Sequence, residues 1–398
     1  MIRAGAGQSS HHSTAQAAEE ATRQAMAQAG IARADAALVF FTADYAKSQR
    51  ELIEPLCRVT GTDQIAGASA AGILTGAGEV EGSHGLAVLV LASDQMQARP
   101  FLFEPLRERD REVGAQIARC AANRADQNSL LALFPDTYNG QPQRLLQALE
   151  QEGGFVPAVG AGATESGTVQ ATYQLCRDAL TTNAVAGMVL SGSFHAGVDI
   201  TQGCQPLTGP MVITKAEKNL IFEIFEIDNR PALEVFARLL KGPLAEDIRR
   251  ALQVLFVGLP ADRNENSVAA GKYLVRNIIR LDPVKGILGV AEEVREGQAM
   301  IFAFRDGQRA REDLNQMLAR QVENLRGRKP AFGLYFNCCA RGASLYGIPG
   351  IDSAYIRQAL GDFPLIGMFG GYELAPLGGA NRLFAYTGVL VLITEATA

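Results

Sequence analysis

The feature that most constrains this chain is a segment order that occurs three times: a hydrophobic strand, a helix, a strand that runs into glycines, and a further hydrophobic strand. The first copy reads "ALVFFTAD", "SQRELIEPLCRV", "IAGASAAG" and "HGLAVLVLAS". The second reads "LLALFPDT", "PQRLLQALEQEGG", "PAVGAGATESG" and "AVAGMVLSGS". The third reads "FGLYFNCC", "DSAYIRQALG", "PLIGMFGGYE" and "YTGVLVLIT". Leu38 stands 29 positions before Gly67, Leu131 stands 29 before Gly160, and Leu334 stands 33 before Gly367. Strand, helix and strand at this spacing imply a right-handed parallel crossover, which brings the C-terminal ends of both strands to one rim. Such a rim is the usual ligand crevice of an open α/β sheet. Ser48 is placed to cap the first helix, Asp352 to cap the third and Gly361 to end it.

The expected fold is therefore α/β: layered α/β sandwiches built from a thrice-repeated β-α-β-β unit, with mixed sheets in two domains. Residues 1–225 hold two copies, and residues 226–398 hold an antiparallel extension followed by the third copy. The extension includes the strand-like "KYLVRNIIRLD", "KGILGVAEE" and "AMIFAFRD" and the polar helix "REDLNQMLARQVENLRGR". The boundary is set where the regular pattern stops. A chain of 398 residues also exceeds the usual span of one core.

A net charge of −5 and the lack of a Lys/Arg run argue against nucleic acid as a partner. Apolar runs such as "LAVLVLA" fall far short of the ~20 residues of a membrane helix. The first thirty residues lack the apolar core of a signal peptide and suit an amphipathic helix from Thr14 to Gln28. A soluble protein in the cytoplasm is expected, without a membrane partner. The six scattered cysteines fit reduced thiols better than a disulfide framework.

The stretch "YFNCCARGASLYG" holds the densest chemistry. By the crossover argument Cys338, Arg341 and Glu373 converge at one rim although more than thirty residues separate the first from the last. Arg341 can grip a carboxylate through two charge-assisted hydrogen bonds, or pair internally, for instance with Glu373. Glu373 can accept an ammonium group, so the two together suit a zwitterion. Cys338 can be a nucleophile if a base activates it, a metal ligand if companions exist, or a small apolar wall of a pocket. The four histidines, His11, His12, His84 and His195, supply no clear base or metal set. "GASAAG" lacks the Lys-Ser/Thr of a P-loop and the spacing of a dinucleotide fingerprint, so no cofactor is expected. Gly67, Gly160 and Gly367 read as architectural first and pocket-forming second. Ser69, Thr164 and Glu165 are turn residues able to contribute hydrogen bonds.

The segment order resembles the FIST family, named from F-box and intracellular signal transduction proteins. "GASAAG" at 67–72 is similar to a turn of the FIST N domain. "YLVRNIIRLDP" at 273–283, "FNCCARG" at 336–342 and "PLIGMFGGYELAP" at 364–376 are similar to the FIST C domain. Tyr372-Glu373 stands where the family usually has Gly-Glu, and Ile73 where an acidic residue is common. The resemblance implies a sensor of small ligands, with amino acids or their derivatives as the class. In many relatives the module is fused to a signalling output; here a separate signalling partner is expected. Arg276, inside a resembling segment, is a second candidate anion-binding group. Ligand binding is thus expected from Cys338, Arg341, Glu373, Arg276, Gly367 and Ser69, with a small carboxylated molecule as partner. The competing reading is an enzyme that uses Cys338 as nucleophile in acyl or amide transfer, and a third is a scaffold whose crevice is filled by its own side chains.

Overall fold

The segments richest in β-branched and aromatic residues become strands buried on both faces, as in "AALVFFT" and "FGLYFNC". The structure, a computed structural model, describes residues 1–122, 128–262, 268 and 273–396. It has a mixed α/β fold and divides into two units. The first comprises residues 1–201, 314–383 and 387–398, and the second residues 202–313 and 384–386.

The first unit contains three six-stranded sheets with one pairing scheme. In sheet one, β1 (Ile2–Ser9) pairs with β6 (Leu86–Ser93), which pairs with β2 (Ala36–Thr42), all antiparallel. β2 then runs parallel to β3 (Ile65–Ala70), and the hairpin β10 (Gln174–Cys176) with β11 (Ala179–Thr181) completes the sheet. Sheet two follows the order β7 (Met96–Phe103), β12 (Val185–Gly192), β8 (Asn128–Pro135), β9 (Ala158–Ala161), β24 (Glu373–Leu377) and β25 (Ala380–Phe384). Sheet three follows β13 (Phe194–Gln202), β26 (Thr387–Glu395), β22 (Phe332–Cys338), β23 (Leu365–Gly370), β4 (Gly72–Thr75) and β5 (Gly78–Glu81). The parallel pairs are β2 with β3, β8 with β9, and β22 with β23.

The last two strands of every sheet come from a distant part of the chain. This exchange runs across the boundary expected at residue 226: the hairpin at 72–81 pairs with β23, and the strands at 373–384 extend sheet two. Backbone hydrogen bonds therefore join the N-terminal segments to the C-terminal ones, which is why all three sheets fall in one unit.

The crossovers carry α2 (Gln49–Thr60), α4 (Pro142–Gly153) and α10 (Ile351–Leu360). Further cover comes from α1 (Thr14–Ala29), α3 (Asp110–Ala122) and the part of α8 (Gly307–Leu325) from Leu314 onward. Ser48 caps α2 through the Glu51 amide, and Gly361 ends α10 with φ +75°. Asp352 does not cap α10; Gly350 holds that position and Asp352 lies inside the first turn.

The expected role of the three glycines is visible at one point of each parallel pair. Gly67 lies opposite Val39, Gly160 opposite Leu133 and Gly367 opposite Tyr335. A Cβ at these glycines would sit 1.8, 2.0 and 2.3 Å from the carbonyl oxygen of the facing residue. No side chain fits there. On the other faces Phe40, Phe134 and Phe336 meet, with ring centroids 5.1, 6.1 and 6.2 Å apart.

The antiparallel extension is a closed ring in the second unit. The ring runs β15 (Met211–Glu217), β16 (Leu220–Phe225), β20 (Ile287–Val290), β19 (Tyr273–Asp282), β18 (Leu255–Pro260) and β21 (Ala299–Arg305), and β21 pairs back to β15. Short strands β14 (Cys204–Pro206) and β17 (Asn229–Pro231) pair with β21 and β16. Closure removes the exposed edges an open sheet would leave. Three short helices cover it: α5 (Ala232–Ala237) adds Val235 and Phe236 to its core, α7 (Ile248–Val254) adds Ala251, and α6 (Pro243–Glu246) packs the partly buried Leu244 against it. Among the described residues, no helix is long and apolar enough to cross a membrane.

Candidate functional site

β22 ends at Cys338, and the backbone turns at once, with the Arg341 amide donating to the Cys338 carbonyl. Gly342, at φ +57°, has no room for a side chain because a Cβ would lie 2.5 Å from the Glu81 carboxylate. The turn drives Arg341 inward until it is 0% exposed. There its Nε and Nη2 each lie 3.2 Å from an oxygen of Asp352, and Nη2 also donates to the Tyr346 hydroxyl at 2.6 Å. Asp352 accepts further hydrogen bonds from Tyr346 and Tyr335 hydroxyls and from Asn337 Nδ2, at 2.8, 2.9 and 2.9 Å. Tyr346 ends the short helix α9 (Ala343–Tyr346).

Burial works against the Arg341 charge, but the carboxylate of Asp352 and the neighbouring phenols hold its pKa well above the ordinary value. Burial, reinforced by the Asp352 charge, pushes the Tyr335 hydroxyl well up. Arg341 thus pairs internally, with Asp352 rather than Glu373. Its fork is already filled by the geometry that a carboxylate ligand would use.

Glu373 is also fully buried. Its Oε2 accepts from the Thr387 amide at 3.1 Å and hydroxyl at 2.7 Å, while the Cys338 thiol lies against the same carboxyl. Burial, with the thiol beside it, raises the Glu373 pKa well above the carboxylate range despite the two Thr387 bonds. A carboxyl whose neutral form is favoured by burial is a poor base for Cys338 and a poor partner for an ammonium group. The predicted approach of Cys338 and Glu373 is present, but inside the protein. Cys339, next in the chain, is exposed.

Ser69 and Thr164 bond across strand ends. Ser69 Oγ donates to the Thr164 carbonyl at 2.9 Å and accepts from the Tyr173 amide, and Thr164 Oγ1 donates to the Phe369 carbonyl at 2.6 Å. Glu165 accepts from the Thr168 and Val169 amides and the Tyr138 hydroxyl. Arg276 lies in the second unit, buried and ion-paired with Glu292. Gly367 is a backbone contact, as described above.

Sequence reasoning did not find the acidic hairpin that serves this region. Glu79 on β5 accepts from the Gly350 and Ser353 amides at 2.9 and 2.8 Å, and Glu81 from the Ala343 amide at 3.0 Å. These amides start α10 and α9, whose N-terminal N–H groups favour a carboxylate. The alternation of "GEVE" was the available signal, but nothing in the sequence pairs it with residues some 270 positions away. Burial, then the charge of Asp352, raises the Glu79 pKa from 4.5 to about 7 against the pull of the two amides. A raised carboxyl pKa favours the folded state below the unfolded value and loses that contribution as pH rises through the folded value. Between pH 4.5 and 7, Glu79 should therefore remove up to about 3 kcal/mol of stability as it ionises. Unfolding titrations of Glu79→Gln should show a flatter pH profile over this interval, and a profile that parallels the wild type would refute the assignment.

Residues 35–227 match the model of the FIST N domain and residues 232–376 that of the FIST C domain. The chain belongs to the FIST family. FIST domains are associated with small-ligand sensing and signalling. An uncharacterized protein of Mycobacterium tuberculosis strain H37Rv is 28% identical over 332 residues, or 83% of this FIST chain and 84% of the relative. An uncharacterized protein of Mycobacterium bovis is 27% identical over 397 residues, 99% of both chains. The crystal structure of a cyanuric acid hydrolase from A. caulinodans aligns with a TM-score of 0.29 and 12% identity, over 48% of this chain and 71% of that one, a likeness too slight to carry an argument.

Proposed function

We propose that this FIST protein binds a small metabolite reversibly, with amino acids and their derivatives as the first class to test, and signals through a separate protein. The observation that carries the reading is the match of both domains to a family associated with small-ligand sensing. The geometry supports binding over covalent chemistry, because the carboxyl beside Cys338 is buried and already accepts two hydrogen bonds from Thr387. A nucleophilic thiol needs a base within reach. Signalling requires only that the ligand bind one conformation better than another.

A thermal-shift screen of the wild-type chain against amino acids, dicarboxylates and uncharged aromatic metabolites tests this. A ligand at 100 times its Kd should add about 2.7 kcal/mol of apparent stability, and Cys338→Ala should keep that response. If no compound in any class raises the melting temperature, the sensor reading fails. If stabilisation depends on Cys338 and mass spectrometry finds an adduct on it, the enzyme reading replaces it.

A further inference from the structure

The hairpin of β4 and β5 joins two unlike strands. On β4, Ile73 and Leu74 are fully buried, and Ile73, Leu74 and Thr75 pair with Met368, Gly367 and Ile366 of β23. The Thr75 hydroxyl also donates to Gln8 Oε1 on β1, at 2.6 Å. β5 is the outermost strand of sheet three; it pairs with β4, and its four residues are half-buried. A second hold on β5 comes from Glu79 and Glu81, which stand two positions apart and so share one face of the strand. Glu79 accepts from the Gly350 and Ser353 amides and Glu81 from the Ala343 amide, so two carboxyl groups clasp β5 to α10 and α9.

The charges around this clasp are unbalanced. Glu79 and Glu81 face Asp352, which precedes Ser353 in α10, and the Arg341 fork behind them is already taken by Asp352. Tyr346 and Tyr335 donate to the same Asp352 as phenols whose pKa values burial pushes up. Arg357 and Asp362 line a small hollow with Gly76 at the tip of the hairpin, and among the described residues neither pairs with Glu79 or Glu81. His84, in the link from β5 to β6, pairs with Asp44. With every carboxyl ionised, three negative charges stand against the one positive charge of Arg341.

We propose that the Glu79 and Glu81 contacts form a pH-operated clasp, which holds β5 on α9 and α10 while Glu79 is protonated and lets β5 swing away as Glu79 ionises, with β4 still paired to β23. The inference does not depend on the ligand reading. Burial, then Asp352, raises the Glu79 pKa from 4.5 to about 7, and burial raises that of Glu81 against the pull of the Ala343 amide. A carboxyl whose pKa is raised in the closed state releases a proton on opening, so higher pH favours the open state. Where opening returns Glu79 to its ordinary value, the ratio of open to closed rises about tenfold between pH 6 and pH 8. The open state frees the first amides of α10 and the Ala343 amide beside the Arg341–Asp352 pair. The clasp thus links proton activity to the packing at the end of β22.

Hydrogen exchange of the full chain at pH 6 and pH 8, resolved by residue and corrected for the intrinsic rise of exchange with pH, tests the clasp. The Ala343, Gly350 and Ser353 amides should be less protected than the amides that join β4 to β23, and their protection should fall about tenfold over this interval. In Glu79→Gln, which cannot ionise at this position, the fall should shrink to within about twofold. Equal protection at the clasp and at the β4–β23 ladder would mean that the hairpin opens only when the whole unit does, and would overturn the proposal. Clasp protection that does not change with pH in the wild type, or that falls tenfold in Glu79→Gln as well, would do the same. A variant that fails to fold leaves the wild type to decide through the carboxyl ¹³C signal of Glu79: a midpoint near 7 is expected, and one in the ordinary carboxylate range would refute the clasp.

Discussion

Arg341→Met should destabilise the protein by about 3–5 kcal/mol at neutral pH, because it leaves a buried carboxylate without its cation. Asp352 would keep the Tyr335, Tyr346 and Asn337 donors, which are too few to replace the guanidinium charge. Replacing the acid as well, in Arg341→Met/Asp352→Asn, should recover part of the loss: neither side chain is then charged, and the amide oxygen can still accept from the tyrosines. Urea unfolding measures both effects. A single variant within about 1 kcal/mol of the wild type would mean that the ion pair contributes little.

The second large effect is expected at the three phenylalanines. Phe134→Ala should cost about 3–5 kcal/mol, since it leaves a cavity facing Phe40 and Phe336 in a fully buried layer. Phe336→Ala should cost a similar amount. The double variant should cost less than the sum, because the second truncation enlarges a void that already exists and removes a ring contact already lost. Denaturant unfolding of the two single variants and the double variant gives the coupling directly. Strict additivity would show that the rings do not act as one cluster.

Local order was legible in the residues. Leu52, Ile53 and Leu56 form one buried stripe of α2, Ser48 starts that helix, and the helix expected over 14–28 spans Thr14–Ala29. Glycines opposite first-strand residues were legible too, because a parallel crossover of nearly constant length brings Gly67, Gly160 and Gly367 to corresponding rungs. The closeness of Cys338 to Glu373 followed from the same argument, but their burial did not. Strand alternation says which residues share a face, and not what covers that face.

The sequence by itself determined the strands, the crossovers and the family. Periodicity, caps and glycines act over a few residues, and a domain match sums such local signals along the chain. Only the tertiary structure decided that strands 72–81, 174–181 and 373–384 complete sheets begun elsewhere. It also decided that Asp352 occupies the Arg341 fork. Edge pairing uses backbone groups that every residue carries. A buried charge is matched by whichever opposite charge the packing brings near, so neither choice is written in the local pattern.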